Sequence, residues 1–155
     1  EDLPDVDAIL IPYGSGGLSS GIGCAIRALK PDTKILACEV ETAAPVAPSL
    51  AAGSIQEVPY TPSFADGLGA KTILPEMWPL VRSLLDGALV VSLRETADAI
   101  RLLVERNRVV AEGAGAAPVA AALSGKAGRG KLVCVVSGGN IDAEKLATIL
   151  RGEIP

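Results

Sequence analysis

The sequence predicts an α/β fold, a mostly parallel sheet flanked by helices, on three observations. Short aliphatic runs alternate with segments whose apolar residues recur at helical spacing. The runs are continuously hydrophobic, as in strands covered on both faces. The breaks between them fall on clusters of Gly, Pro, Ser and Asn. Strand and helix alternating along the chain implies parallel pairing through helical crossovers. At 155 residues the chain has the size of one domain, residues 1–155.

The first strand covers residues 6–13 and is halted by Gly14-Ser15-Gly16-Gly17. Leu18, Ile22, Ala25, Ile26 and Leu29 then recur at helical spacing until Lys30-Pro31-Asp32 stops the helix. Residues 34–40 form a second strand. From Thr42 to Thr72 the chain is rich in Pro, Ala, Ser and Gly, with a short helix over residues 43–52 and then a loop long enough to suggest function. Leu80, Val81, Leu84 and Leu85 mark a helix ending at Gly87, and residues 88–91 are a third strand. Ser92-Leu93-Arg94-Glu95 has capping-box spacing and opens a helix with Ala97, Ile100, Leu103 and Val104 on its inner side. An alanine-rich helix follows over residues 114–123, then a basic turn. The strand at 131–136, the clearest in the chain, is expected at the sheet's centre and stops at Ser137-Gly138-Gly139-Asn140. The last helix, residues 142–151, turns Leu146, Ile149 and Leu150 inward, with Gly152 placed to end it.

Composition excludes several classes of function. Fourteen Lys and Arg against eighteen Asp and Glu give a net charge of −4, which argues against a nucleic-acid or anionic-membrane partner. The absence of histidine removes Ser-His-Asp and Cys-His nucleophile arrangements and imidazole zinc sites. Chemistry must run on carboxylates, lysine, hydroxyls, backbone amides or a cofactor. A mean hydropathy of +0.41 points to surface that something else covers, such as a second copy in a homo-oligomer. Cys24, Cys38 and Cys134 are widely spaced in aliphatic surroundings, which implies buried reduced thiols and a cytoplasmic protein. No uncharged apolar run is long enough to span a bilayer.

In an open parallel sheet, ligands bind beyond the carboxyl ends of the strands. Gly14-Ser15-Gly16-Gly17 joins a strand to a helix there, leaving free backbone N–H groups and no Cβ atoms to obstruct an anion. The alternative is a turn that needs glycine only for backbone freedom. A dinucleotide fingerprint fails because Ser19 stands at the third glycine position, and a Walker A loop fails at Ile22 and Gly23. Ser137 sits at a strand tip, where it either caps a helix or serves a ligand. Glu112 interrupts an apolar stretch and precedes Gly113-Ala114-Gly115, as a helix N-terminal charge or a site residue. Glu39 ends a strand, either holding a cation or facing water.

Ile11-Pro12-Tyr13-Gly14-Ser15-Gly16-Gly17-Leu18, Ala65-Asp66-Gly67, Glu112-Gly113-Ala114-Gly115-Ala116 and Val136-Ser137-Gly138-Gly139-Asn140 occur in one order. Together they resemble the pyridoxal-phosphate enzymes of the tryptophan-synthase-β fold (fold type II), most nearly threonine dehydratase (threonine ammonia-lyase) and serine racemase. The resemblance covers nearly the whole chain. It implies that Gly14, Ser15, Gly16, Gly17 and Leu18 hold the phosphate of pyridoxal 5'-phosphate, with Ser15 interrupting the usual tetraglycine. It implies that Ser137, with Gly138 beside it, meets the pyridine nitrogen, and that Glu112 is a carboxylate near the cofactor ring. Glu39 and the backbone of Ala43 match a divalent-cation site of serine racemase, but Pro45 replaces a further acidic ligand there.

The family's Schiff-base lysine lies in an N-terminal Ser-Phe-Lys type motif that these residues lack. The chain is therefore expected to be the C-terminal portion of the cofactor-binding domain, inactive without its lysine-bearing N-terminal part. The activity implied is β-elimination from threonine or serine to a 2-oxo acid and ammonia. Serine racemisation and a noncatalytic phosphate-binding module are the alternatives.

Overall fold

The computed structural model describes residues 3–155. In chain order the elements are β1 (Ala8–Pro12), α1 (Gly17–Leu29), β2 (Lys34–Val40), α2 (Val46–Ala52), α3 (Trp78–Leu84), β3 (Gly87–Val91), α4 (Leu93–Leu102), α5 (Gly113–Leu123), β4 (Leu132–Cys134) and α6 (Ala143–Leu150). A π-helical turn, Leu103–Asn107, extends α4 and ends at Arg108 in the left-handed region, φ 58°. The four strands lie in the order β3-β2-β1-β4, and every pair is parallel. The predicted α/β class and parallel sheet are therefore present.

Successive residues of β1 face opposite sides of the sheet. Ile9, Ile11 and Tyr13 join Ile35, Ala37, Val46, Ile73, Val81 and Leu85 in one core. Ala8 and Leu10 join Cys38, Val40, Val91 and residues of α4, α5 and α6 in the other. Helix α5 is buried almost all round, from Gly113 to Ala121, which explains its alanine: a helix covered by both α4 and the sheet has no room for larger side chains.

The capping box forms as predicted. Ser92 Oγ accepts from the Glu95 N–H at 3.1 Å, and Glu95 Oε2 accepts from the Ser92 N–H at 2.7 Å. Lys126 of the basic turn reaches the same carboxylate at 2.7 Å and is the main cause holding it below its ordinary range.

Four expectations change. The strand ending at Ser137 is β4, only three residues long and at an edge of the described sheet rather than its centre, although Val135 still donates to Leu10 O. Helix α1 buries Ser19, Ser20 and Gly23, with Leu18 and Leu29 outward, because Gly23 lets Leu84 of α3 pack directly on the helix. That rotation also exposes Cys24, while Cys38 is buried and Cys134 only partly so. In α6, Ile149 is buried but Leu150 is outward. No helix among the described residues is long and apolar enough to cross a membrane.

Candidate functional site

The carboxyl ends of β1 and β4 open into a cleft of about 180 Å³, walled by the turn from Gly14 to Leu18, Gly67 and Leu68, Glu112, Ala114 and Ser137. All four sequence motifs meet there. A larger cleft, about 720 Å³, opens at the opposite end of the sheet and contains none of them.

The phosphate-cradle reading of the first turn has a geometric basis. Gly16 precedes α1 in the left-handed region, φ 95°, which L side chains rarely adopt. Its carbonyl is fixed by the Ser19 hydroxyl at 3.0 Å and the Ser20 N–H at 2.9 Å. A Cβ on Gly14 would stand 2.7 Å from Gly67 O, so this residue must be bare for the two loops to meet. The first-turn N–H groups of α1 reach no helical carbonyl, and that turn carries no acidic side chain. The result is a donor-rich turn, without charged side chains of its own, at the positive end of a thirteen-residue helix. These features fit a phosphate group.

The other motifs interlock through missing side chains. A Cβ on Gly113 would stand 2.6 Å from Ala65 Cα, and one on Gly115 would stand 2.6 Å from Gly138 O. A Cβ on Gly138 would meet Glu112 Oε1 at 2.6 Å, and one on Gly139 would meet Val110 O at 2.5 Å. The Glu112 N–H donates to Gly138 O at 3.0 Å. Glu112 is the N-cap residue of α5, yet its side chain makes no capping bond. Its carboxylate instead lies between Gly67 and Gly138. Glu112 thus stands both at the start of α5, where the helix-end reading puts it, and on the wall of the cleft, where the site reading puts it.

Glu39 departs from both readings of it. It is 1% exposed and does not face water. Its Oε1 accepts from the Val46 N–H at 2.8 Å and its Oε2 from the Ala47 N–H at 3.1 Å, so the side chain anchors the start of α2, where Pro45 has no capping side chain. Burial pushes its carboxyl up to about 7 against the lowering pull of those two bonds. Neither the donors nor the surroundings fit a divalent cation. Both oxygens are engaged, Ala43 supplies only backbone, Pro45 supplies no ligand, and no three His, Cys, Asp or Glu side chains come together among the described residues.

None of the six lysines lines the cleft. Lys145 on α6 comes near, pairing with Asp142 at 3.1 Å and with Asp66, beside Gly67, at 3.9 Å. Sequence reasoning missed Leu68 on the wall and the burial of Tyr13 behind it. An aromatic residue directly before a glycine turn, in a chain with so few aromatics, was the available signal for Tyr13.

A family model described as pyridoxal-phosphate dependent enzyme matches residues 1–138. The chain is 41% identical over 152 residues to the L-threonine ammonia-lyase of Geobacter sulfurreducens, covering 97% of this chain and 38% of that protein. It is 39% identical over 150 residues to a serine racemase of Oryza sativa, covering 92% of this chain and 44% of that one. Among solved structures, maize serine racemase superposes with a TM-score of 0.84 at 37% identity, covering 97% of this chain and 49% of that chain. The chain thus spans less than half of the length of these proteins.

Proposed function

The chain belongs to the pyridoxal-phosphate-dependent enzyme family, and from that premise we propose that the intact protein deaminates threonine or serine by β-elimination, giving a 2-oxo acid and ammonia. The observation that carries the reading is the convergence of the glycine turn, Gly67, Glu112 and Ser137 on one cleft, in a chain 41% identical to a threonine ammonia-lyase.

When bound, pyridoxal phosphate supplies an electron sink that lets an amino acid lose its Cα proton and then its β-hydroxyl. In our reading, the backbone N–H groups from Gly14 to Leu18 hold the phosphate, with the start of α1 adding its dipole. Ser137, with Gly138 beside it, offers the pyridine nitrogen a neutral hydroxyl rather than a carboxylate, so nothing on this wall enforces ring protonation. Glu112, the one charged side chain on the wall, holds or moves a proton at its carboxylate. Pro12, Gly67, Leu68 and Ala114 complete the wall. The lysine that binds the cofactor covalently comes from a segment outside these residues.

Serine racemisation is the second reading, favoured by the 39% identity to a serine racemase. Full-length protein loaded with pyridoxal phosphate is assayed with L-threonine and L-serine, following 2-oxo acid by coupled NADH oxidation and D-serine by chiral chromatography. Release of 2-oxobutanoate or pyruvate supports deamination. D-serine without 2-oxo acid replaces it with racemisation, and neither product from a cofactor-loaded protein overturns both.

A further inference from the structure

One buried polar side-chain atom among the described residues has no hydrogen-bond partner, and it is the hydroxyl of Tyr13. Tyr13 is 3% exposed and immediately precedes the glycine turn, with its ring on the sheet face of Ile9 and Ile11. The hydroxyl stands 2.9 Å from the point where a Cβ on Gly16 would be, and Met77 Cε closes the same space at 3.3 Å. Gly16 itself lines the cleft. A single residue without a side chain therefore separates this hydroxyl from the concavity that the turn encloses.

A buried donor with no acceptor is unfavourable, and phenylalanine would fill the same volume without it. The backbone N–H groups at the start of α1 are donors too, and the first turn of α1 carries no acidic side chain, so the turn offers donors without an acceptor of its own. Burial, with the charge of Glu39 adding to it, pushes the Tyr13 hydroxyl up to about 12, which keeps it a neutral, protonated donor near pH 7.

We propose that Tyr13 is a further anion-binding residue, whose hydroxyl donates past the bare Cα of Gly16 to a phosphate group seated on the Gly14–Leu18 turn. The proposal rests on reading that turn as the phosphate site, and on no particular reaction. It gives the turn a side-chain donor in addition to its backbone. It also accounts for tyrosine at a position where the other fully buried residues of the core are aliphatic.

The test compares full-length wild type with Tyr13→Phe, measuring thermal unfolding without cofactor and the dissociation constants of inorganic phosphate and of pyridoxal phosphate. The ³¹P chemical shift of the bound cofactor is recorded in both. The expected result is a variant at least as stable as wild type without cofactor that binds both ligands roughly 10-fold more weakly, with a displaced ³¹P resonance. Removing a group that only packs the core would not produce that opposition between stability and affinity. Unchanged affinities for both ligands overturn the proposal, as does a loss of stability of the same size with and without phosphate, which would make the hydroxyl a support of the turn alone. If wild type binds neither ligand, the phosphate reading of the turn falls instead.

Discussion

Gly115→Ala sets local propensity against tertiary contact. Alanine in place of glycine within a helix is worth up to about 1 kcal/mol of stability, so α5 considered alone should gain. In the folded chain the new Cβ would lie 2.6 Å from Gly138 O, 3.2 Å from Gly138 N and 3.4 Å from Ser137 N. All three are backbone atoms, so no flexible side chain can move aside. Restoring an ordinary contact requires a shift of roughly 0.5–0.8 Å, and overpacking of that kind costs about 1–3 kcal/mol. The shift also stretches the Glu112 N–H bond to Gly138 O, now 3.0 Å, whose loss costs about 1 kcal/mol more. The sum after the propensity gain is a destabilisation of about 1–3 kcal/mol. The control is Gly21→Ala on α1, where a Cβ would meet nothing within 4 Å and the same exchange should stabilise by about 0.5–1 kcal/mol. Both variants are measured by denaturant unfolding and by pyridoxal-phosphate titration of the full-length protein. Gly115→Ala should lose stability and, because Ser137 moves with Gly138, cofactor affinity as well. A Gly115→Ala protein as stable as Gly21→Ala with wild-type affinity would refute the interlocking described here.

Three further outcomes are expected. The Glu39 carboxyl stands at about 7 in the fold against an ordinary value of 4.5, so the folded state holds its proton more tightly. Its contribution is complete below about 4.5 and is lost as pH rises through 7. Relative to Glu39→Gln, wild-type stability should therefore fall by on the order of 3 kcal/mol between those pH values, measured by urea unfolding. Ser92→Ala removes the acceptor of the capping box and should cost about 1 kcal/mol, lowering Tm by roughly 2–4 °C. Cofactor affinity should not change in that variant, because Ser92 does not line the cleft. Chelator, Mg²⁺ and Ca²⁺ should each leave the thermal unfolding of the full-length protein unchanged; a rise in Tm with Ca²⁺ that Glu39→Gln abolishes would show that the site takes a cation after all.

The elements were legible because their signals are local. Continuous aliphatic runs, the Ser92–Glu95 spacing and the glycine stops each act within a few residues, and each produced the expected strand, cap or turn. Faces and edges were less legible. Leu18 and Leu29 fit a helical stripe as well as Ile22 and Ile26 do, but the close approach of Leu84 to Gly23 decides which side of α1 is buried. Likewise, a hydrophobic run does not say which strand lies beside it, and the strand ending at Ser137 lies at the edge of the described sheet.

The sequence by itself determined the α/β class, the order of the elements and the residues able to form an anion-binding turn, since these follow from periodicity and backbone freedom. Only the tertiary structure decided what those residues touch. It set the Glu112 carboxylate between Gly67 and Gly138 without a capping bond to its own helix, turned Glu39 from water to the backbone of α2, and left the Tyr13 hydroxyl behind Gly16 without a partner. The physical reason is that such contacts depend on how closely separate loops and helices approach, which is set by the packing between them rather than by either segment alone.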